Sequence, residues 1–207
     1  MRNIFQFFWR MLTFMAFRPL AHMYFFFTGW TLVGRSPGVM KMVIVVAPHR
    51  QGLGDLLRGL ATKTLITFPD NLRFLAKKEL FRNPLQRMFL KWLGAIPVDR
   101  DHSEPGSVKG YSVSELVTLF NVPECALVIT PEGTRKDVPW KNGFYRIALE
   151  AQIPIVFVVF DYIGKRVVIV EPAYMTGRQK EDKKTIREPY RENTSGYEPK
   201  LRDDLLS

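Results

Sequence analysis

The chain has 207 residues, a single cysteine (Cys125) and a formal net charge of +10 at pH 7. Its length suits one domain with a hydrophobic core, and its composition, 46% hydrophobic and 24% charged, excludes a disordered chain, a collagen-like repeat and a coiled coil. A lone cysteine also excludes a disulfide framework and a zinc site built from clustered thiolates.

The first thirty residues combine aromatic and basic side chains in a way that is unusual for a soluble domain. They hold eight of the 16 phenylalanines, and no acidic residue occurs before Asp55. Two apolar stretches, residues 4–17 and 20–33, flank Arg18 and Pro19, and neither reaches the roughly 20 residues needed to cross a bilayer. Pro19 is expected to stop any helix that begins before it.

This pattern favours a membrane-associating helical segment over residues 1–34, with its rings at the headgroup level and its arginines near anionic phosphates. The alternatives are a secretory signal peptide, for which no small-residue cleavage site is evident, and two core helices of a soluble protein. We therefore expect a membrane-associated protein on the cytoplasmic face of the inner (cell) membrane. Whether the first helix lies flat or inserts as a hairpin is open.

From residue 42 onward, apolar runs typical of strands alternate with amphipathic stretches typical of helices. The predicted strands are 42–47, 73–76, 96–98, 126–130, 154–160 and 166–170, the last two as a possible hairpin; the predicted helices are 55–67, 84–93, 113–121, 140–151 and about 180–191. Ser112 and Glu115 form a capping box. This order predicts an α/β domain over residues 35–207, with a mixed, largely parallel sheet flanked by helices and a polar C-terminal tail from about residue 176.

Polar residues follow several of these strands, where open α/β sheets place their ligands. His49 comes just after the strand 42–47, and Asp55 stands at the start of the next helix. An imidazole can take a proton from an alcohol when a carboxylate fixes its tautomer and stabilises the imidazolium. The simpler interpretation of the pair alone is a surface histidine beside a helix-start aspartate.

Three further motifs each have a functional and a plain interpretation. Arg100 ends the sequence GAIPVDR, and its planar guanidinium fits phosphate oxygens, although a salt bridge to a neighbouring aspartate is equally consistent. In ITPEGTR (129–135), Gly133 allows close approach of the backbone to a ligand, but the segment could be an ordinary solvated turn. The fourth motif, IPIV (153–156), alone indicates core.

Together, in this order and spacing, the four motifs resemble the blocks of the glycerolipid acyltransferase family, typified by 1-acylglycerol-3-phosphate acyltransferase. That family carries His-x-x-x-x-Asp, Gly-x-Ile-x-x-Asp-Arg, Pro-Glu-Gly-Thr-Arg and a late apolar-Pro-apolar block. The sequences KKEL (77–80) and WKNG (140–143) also look like the family, and the resemblance runs from about residue 40 to 172.

One departure concerns the first block, where five residues instead of four separate His49 from Asp55. In a continuous helix, one extra residue would rotate the aspartate by about 100° and break the pair. Because Gly52 and Gly54 lie in the interval, we expect a bulge before the helix to absorb the extra residue and keep the pair together. Otherwise Asp55 would only cap a helix.

The resemblance implies a role for each matching residue. His49 would be the general base and Asp55 its orienting carboxylate. The acceptor site would contain Arg100, Arg135 and Lys141 as phosphate ligands, with Glu132, Gly133 and Thr134 shaping it. The acceptor hydroxyl would attack the thioester of an acyl-CoA or an acyl carrier protein, with no cofactor, no metal and no covalent acyl-enzyme. Cys125 is accordingly expected in the core.

The expected function is therefore transfer of a fatty acyl group to a lysophospholipid in phospholipid biosynthesis, with 1-acylglycerol-3-phosphate as the leading acceptor. The alternative is a catalytically weak or inactive peripheral membrane protein that keeps the fold and binds lipid. The expected partners are the lysophospholipid, the acyl donor and an anionic membrane surface. Nucleic acid is not expected, because the pI of about 9.8 accompanies an aromatic apolar segment and no nucleic-acid-binding motif occurs.

Overall fold

The structure is a computed structural model that describes residues 16–98, 111–133, 136 and 138–205. The strands are β1 (Thr31–Val33), β2 (Lys41–Ala47), β3 (Leu72–Lys77), β4 (Ala95–Val98), β5 (Cys125–Ile129), β6 (Ile155–Asp161) and β7 (Arg166–Ile169). The helices are α1 (residues 16–28), α2 (Leu53–Leu65), α3 (Pro84–Trp92), α4 (Val113–Val117), α5 (Gly143–Ala151) and α6 (Gln179–Asn193), with short 3₁₀ helices at Lys78–Phe81 and Thr118–Phe120.

The described strands form one sheet in the order β1-β7-β6-β2-β5-β3-β4. Neighbouring strands run parallel except for β6 and β7, which form an antiparallel hairpin. The central strands β2 and β6 are near-continuous runs of valine, isoleucine and phenylalanine, as strands buried on both faces require. The predicted α/β class, the largely parallel sheet and the β6–β7 hairpin are confirmed.

Side chains that alternate along each strand divide the core between the two faces of the sheet. Val43 and Val45 lie on the face covered by α4, α5 and α6, which we call the α5 face. Met42 and Ile44 lie on the opposite face, which is covered by α1 and α2 and which we call the α1 face. Cys125 is buried in the core of the α5 face, as predicted.

The N-terminal part differs from its prediction. The described helix already includes residues 16–18 and continues through Pro19 to residue 28, so the prediction that Pro19 stops a helix is wrong. Proline lacks an amide N–H, but its fixed φ is compatible with helical geometry, so a helix can continue through it with the loss of one intrahelical hydrogen bond. The apolar stretch 20–33 then divides, because Thr31–Val33 leaves the helix as β1 and pairs with β7.

Membrane association of residues 1–34 is not established by the fold. Residues 1–15 lie outside the described part of the chain. Among the residues that the structure describes, no helix combines the length and the apolar character needed to span a bilayer.

The polar tail is more deeply integrated into the fold than its composition indicates. Ile186 and Tyr190 of α6 are fully buried in the core of the α5 face. Asp182, which lies in the tail predicted only as polar, is buried and accepts hydrogen bonds from the Tyr145 hydroxyl at 2.8 Å and from the Gly177 N–H at 2.9 Å. Although its sequence is highly charged, α6 therefore has one buried face, which packs against the sheet and forms part of the core.

Candidate active site

His49 and Asp55 form a hydrogen-bonded pair at the C-terminal end of β2. The His49 Nδ1 lies 2.9 Å from the Asp55 Oδ2; the Asp55 side chain is buried, whereas a quarter of the imidazole is exposed (26%). The neutral imidazole carries its proton on Nδ1 and donates that N–H as a hydrogen bond to the carboxylate, so Nε2 keeps its lone pair. A partly exposed imidazole whose Nε2 keeps its lone pair, while a buried carboxylate holds Nδ1, is the arrangement that general base catalysis requires.

A glycine turn absorbs the five-residue interval between the two side chains. Gly52 adopts φ +56, in the left-handed region, and α2 begins directly after it at Leu53. Asp55 then reaches back across the turn, because its Oδ2 also accepts the Gln51 N–H at 2.8 Å. The pairing expected from the two-glycine interval is therefore present, even though the interval is one residue longer than the family block.

The second oxygen of Asp55 is held by two side chains that the sequence analysis did not single out. The Arg58 Nη1 lies 2.6 Å and the Tyr162 hydroxyl 2.7 Å from Oδ1. The guanidinium of Arg58 stacks on the Trp30 ring, 3.9 Å from its centroid, a desolvated contact of the kind that contributes about 2 kcal/mol. We call Asp55 with Arg58, Tyr162 and Trp30 the carboxylate anchor.

The carboxylate anchor keeps Asp55 ionised. Burial alone would raise the pKa of this carboxyl, but hydrogen bonds from His49, the Gln51 N–H and Tyr162 outweigh burial and hold its pKa below the ordinary value. The pKa of the Tyr162 hydroxyl is raised, first by burial and also by its bond to the anionic Asp55. Near neutral pH, Tyr162 therefore stays a neutral donor and His49 faces a negatively charged carboxylate.

Glu132 holds the backbone of His49 from the other side. It is buried after β5, and its Oε2 accepts the His49 N–H at 3.2 Å. Its Oε1 accepts the Tyr197 hydroxyl at 2.6 Å, and that hydroxyl accepts the Trp140 Nε1–H at 3.1 Å. Burial and the bond to Glu132 raise the pKa of Tyr197. We call Glu132, Tyr197 and Trp140 the backbone anchor.

The remaining predicted residues divide into described and undescribed positions. Gly133 adopts φ +63 directly after Glu132, and a Cβ at this glycine would lie 3.8 Å from the Lys141 Cε. Lys141 therefore runs alongside the turn, at the same edge of the sheet as His49, since β2 and β5 are parallel neighbours. Arg100, Thr134 and Arg135 lie outside the described residues.

A cavity of about 430 Å³ adjoins this edge between the end of β2 and the segment 194–200. Its lining includes Pro48, Arg50, Tyr162, Tyr197 and Lys200, so it touches a residue of each anchor and carries two basic side chains. Within the described part of the chain, no three His, Cys, Asp or Glu side chains lie close enough together to bind a metal ion.

The sequence carried different amounts of information about these contacts. Arg58 is three residues from Asp55 on one helix, a spacing that places both on the same face and could have been noticed. Tyr162 and Tyr197 are 107 and 65 residues from their carboxylate partners, and aromatic residues in apolar surroundings indicate core packing first.

The sequence of this domain matches a known family of acyl-transferring enzymes. Residues 35–161 match the family model described as Acyltransferase, which is more than half of the chain, so the protein belongs to the acyltransferase family. No solved structure matches the chain significantly.

Three curated relatives carry the name 1-acyl-sn-glycerol-3-phosphate acyltransferase. The protein from Streptococcus pneumoniae is 32% identical over 126 residues, covering 61% of this chain and 44% of the relative. That from Bacillus subtilis is 37% identical over 94 residues, covering 42% of each. That from Limnanthes alba is 34% identical over 85 residues, covering 39% of this chain and 29% of the relative. The chain thus matches less than half the length of each of these relatives.

Proposed function

We propose that the protein transfers a fatty acyl group from a thioester donor to the free hydroxyl of a lysophospholipid, with 1-acylglycerol-3-phosphate as the acceptor. The observation that carries the proposal is the 2.9 Å pair of His49 and Asp55 at the end of β2. Family membership and the names of the relatives support the same reaction class.

The reaction follows from the two side chains. His49 Nε2 takes the proton of the acceptor hydroxyl while its oxygen attacks the thioester carbonyl carbon, and Asp55 stabilises the resulting imidazolium. The tetrahedral intermediate then collapses, the carbon–sulfur bond breaks, and the departing thiolate takes the proton from His49. The products are an ester and a free thiol, and the imidazole returns to its starting state.

We assign the acceptor phosphate to Arg100, Arg135 and Lys141, by the family pattern. Lys141 supports this assignment, because its chain lies against the Gly133 turn at the edge of the sheet that holds His49. Gly133 and Thr134 would shape the turn around the acceptor, and Glu132 would act through the backbone of His49. The donor would be acyl-CoA or acyl carrier protein, both acidic, which suits a net charge of +10.

We also propose that residues 1–34 bind the cytoplasmic face of the cell membrane, where the acceptor resides. The outward side chains of α1 support this, since Phe17, Leu20, Met23, Phe26 and Phe27 are all exposed. Exposed aromatic rings beside basic residues are typical of interfacial helices.

Purified protein incubated with acyl-CoA and lysophosphatidate tests the reaction by release of free CoA and formation of phosphatidate. We expect His49→Ala to lower kcat about 10²- to 10⁴-fold. Lys184→Ala, an exposed lysine of α6, is the matched control and should behave like the wild type.

Lys141→Ala should raise KM for lysophosphatidate while leaving KM for a monoacylglycerol, which has no phosphate, unchanged. Equal CoA release from wild type, His49→Ala and a blank without enzyme would end the catalytic proposal. It would favour the alternative function, a lipid-binding protein that keeps the fold without turnover.

A further inference from the structure

The outward face of α3 carries large apolar side chains where a surface helix ordinarily carries polar ones. Leu85, Met88, Phe89 and Trp92 are 74%, 67%, 49% and 76% exposed. Their spacing of i, i+3, i+4 and i+7 places them on one side of the helix. On the opposite side, Leu90 packs into the protein. The helix is thus apolar toward solvent as well as toward the core.

The ends and flanks of α3 have a defined character. The Asn83 side chain accepts the N–H groups of Leu85 and Gln86, and Pro84 occupies the first turn, so the helix has a regular N-terminus. Arg87 and Lys91 are exposed beside the apolar stripe, and Arg82 precedes it. No acidic residue occurs from residue 83 to residue 98. An exposed apolar stripe with a purely basic border is the pattern of helices that lie in an anionic lipid interface.

Helix α3 lies on the same side of the sheet as α1. Phe74 of β3 is the register partner of Val128 in β5, and Val128 packs with the core of the α1 face. Phe74 also packs against the cluster that contains Leu90 of α3. Because paired residues of parallel strands point to the same side, α3 covers the α1 face over strands β3 and β4.

Helix α2, which lies on the same face, also has apolar residues toward solvent, since Leu53 and Leu57 are exposed. All three described helices of the α1 face therefore present large apolar side chains outward. The surface reaches from the β1 edge, under α1, to the β4 edge, under α3.

We propose that the outward face of α3, formed by Leu85, Met88, Phe89 and Trp92, docks on an anionic lipid surface as a contact separate from α1. The proposal deepens the proposed function, because that surface would supply the acceptor. A second copy of this chain is the competing occupant. Two such faces packed together would oppose Arg82, Arg87 and Lys91 of one copy to the same residues of the other, with no acidic side chain in either helix.

Quenching of Trp92 by brominated lipid measures insertion directly. Full-length protein is mixed with vesicles of phosphatidylcholine and phosphatidylglycerol, with and without brominated acyl chains, and compared with Trp92→Phe. The phenylalanine keeps the face apolar, so the difference between the two proteins isolates the emission of Trp92. We expect this difference emission to be strongly quenched. A difference emission that brominated lipid leaves unquenched would place Trp92 outside the lipid and overturn the proposal.

Partition between vesicles and water measures the contribution of the face. We expect Leu85→Gln combined with Met88→Gln to weaken binding to the anionic vesicles about tenfold, because both side chains lose apolar contact with lipid. Val122→Ser is the matched control; it also replaces an exposed apolar residue, but one that follows the 3₁₀ helix whose Phe120 packs on the core of the α5 face. Unchanged binding of the double variant would also overturn the proposal.

Two further readouts separate the possible causes of failure. Sedimentation of the wild type and the double variant without lipid detects self-association; a dimer that only the wild type forms, with Trp92 unquenched, would assign the face to a second copy. Activity on a short-chain acceptor dissolved as monomers tests the reaction independently of docking. Quenched Trp92 in a protein without acyltransferase activity would support the lipid contact and remove the proposed function alone.

Discussion

The two faces of the sheet hold the same histidine by different means. From the α1 face, the carboxylate anchor reaches the imidazole: Asp55 and Arg58 come from α2, and Trp30 and Tyr162 pack with that face. From the α5 face, the backbone anchor reaches the main chain of His49 through Glu132, and its Trp140 and Tyr197 pack with that core. The first anchor orients the imidazole and places a negative charge beside it, and the second holds the main chain of His49.

The faces also differ in what they show to solvent. Among the described residues, the large apolar side chains exposed on α-helices belong to α1, α2 and α3, whereas α5 and α6 contribute none. The three largest side chains that are fully buried, Trp140, Tyr145 and Tyr190, all belong to the α5 face. The α5 face therefore supplies the larger part of the buried core, whereas the helices of the α1 face leave large apolar side chains exposed to solvent.

The largest expected effect comes from removing the charge at the centre of the carboxylate anchor. Asp55→Asn should lower kcat on the order of 10³- to 10⁴-fold, because an amide neither fixes the imidazole as firmly nor stabilises the imidazolium. The substitution also leaves the buried Arg58 without its carboxylate, so the free energy of unfolding should fall by about 3–5 kcal/mol. Steady-state kinetics and thermal unfolding measure the two effects. Asp203→Asn, at an exposed position, is the control and should keep the wild-type kcat. If the kcat of Asp55→Asn stays within twofold of the wild type, the role of Asp55 is contradicted.

A matched pair of tyrosine variants separates the two anchors. Tyr162→Phe removes a donor to Asp55, and Tyr197→Phe removes a donor to Glu132; each leaves a buried carboxylate oxygen short of one hydrogen bond. Each should cost about 1–3 kcal/mol of unfolding free energy and should lower kcat about tenfold or less.

The two variants should differ when Asp55 is already asparagine. Tyr162→Phe acts through Asp55 and also removes the acceptor of the Arg50 N–H, which lies 3.0 Å from the hydroxyl, so we expect only a small part of its effect on kcat to persist in that background. Tyr197→Phe acts through the backbone and should keep its full effect, as expected for independent sites. Equal additivity of both tyrosines would show that the anchors are not distinct.

The sequence predicted the sheet well where strands are long and buried on both faces. The strand expected at 42–47 is observed at Lys41–Ala47, because a continuous run of β-branched residues between polar ends has few other structures available. β1 escaped prediction because three residues carry almost no periodic signal and its pairing with β7 is non-local. Pro19 misled because a proline tolerated within a helix looks the same in sequence as one that ends a helix.

The site was predictable only in its motif residues. His49, Asp55 and Glu132 stand next to strand ends, and the structure joins them through one hydrogen-bond network. The tyrosines that hold these carboxylates, Tyr162 and Tyr197, come from distant parts of the chain, so no local sequence pattern indicated their role. The roles of Arg100, Thr134 and Arg135 stay predictions. The five-residue interval was interpretable because glycine is the residue type that lets a turn lengthen without rotating the helix after it.

The pH dependence of stability should report the carboxylate anchor. The pKa of Asp55 is lower in the folded protein than in the unfolded chain, where it is about 3.9. Its contribution is therefore present above pH 3.9 and is lost as the pH falls through the folded pKa. Unfolding free energy measured from pH 6 downward should fall less steeply in Asp55→Asn than in the wild type below pH 4. Parallel curves would show that Asp55 is not stabilised as an anion by the fold.

The smallest effect is expected at an ion pair near the outer strand of the same sheet. Arg35 follows β1 and pairs with Glu171, which follows β7, at 3.1 Å, but their side chains are 86% and 69% exposed. Water screens both charges and holding two long side chains costs entropy, so Glu171→Gln should change the unfolding free energy by about 0.5 kcal/mol or less. The buried Arg58–Asp55 pair has similar geometry without that screening. Denaturant unfolding of Glu171→Gln and of Asp55→Asn therefore tests whether burial determines how much each ion pair contributes to the unfolding free energy. A comparable loss of unfolding free energy in both variants would contradict this.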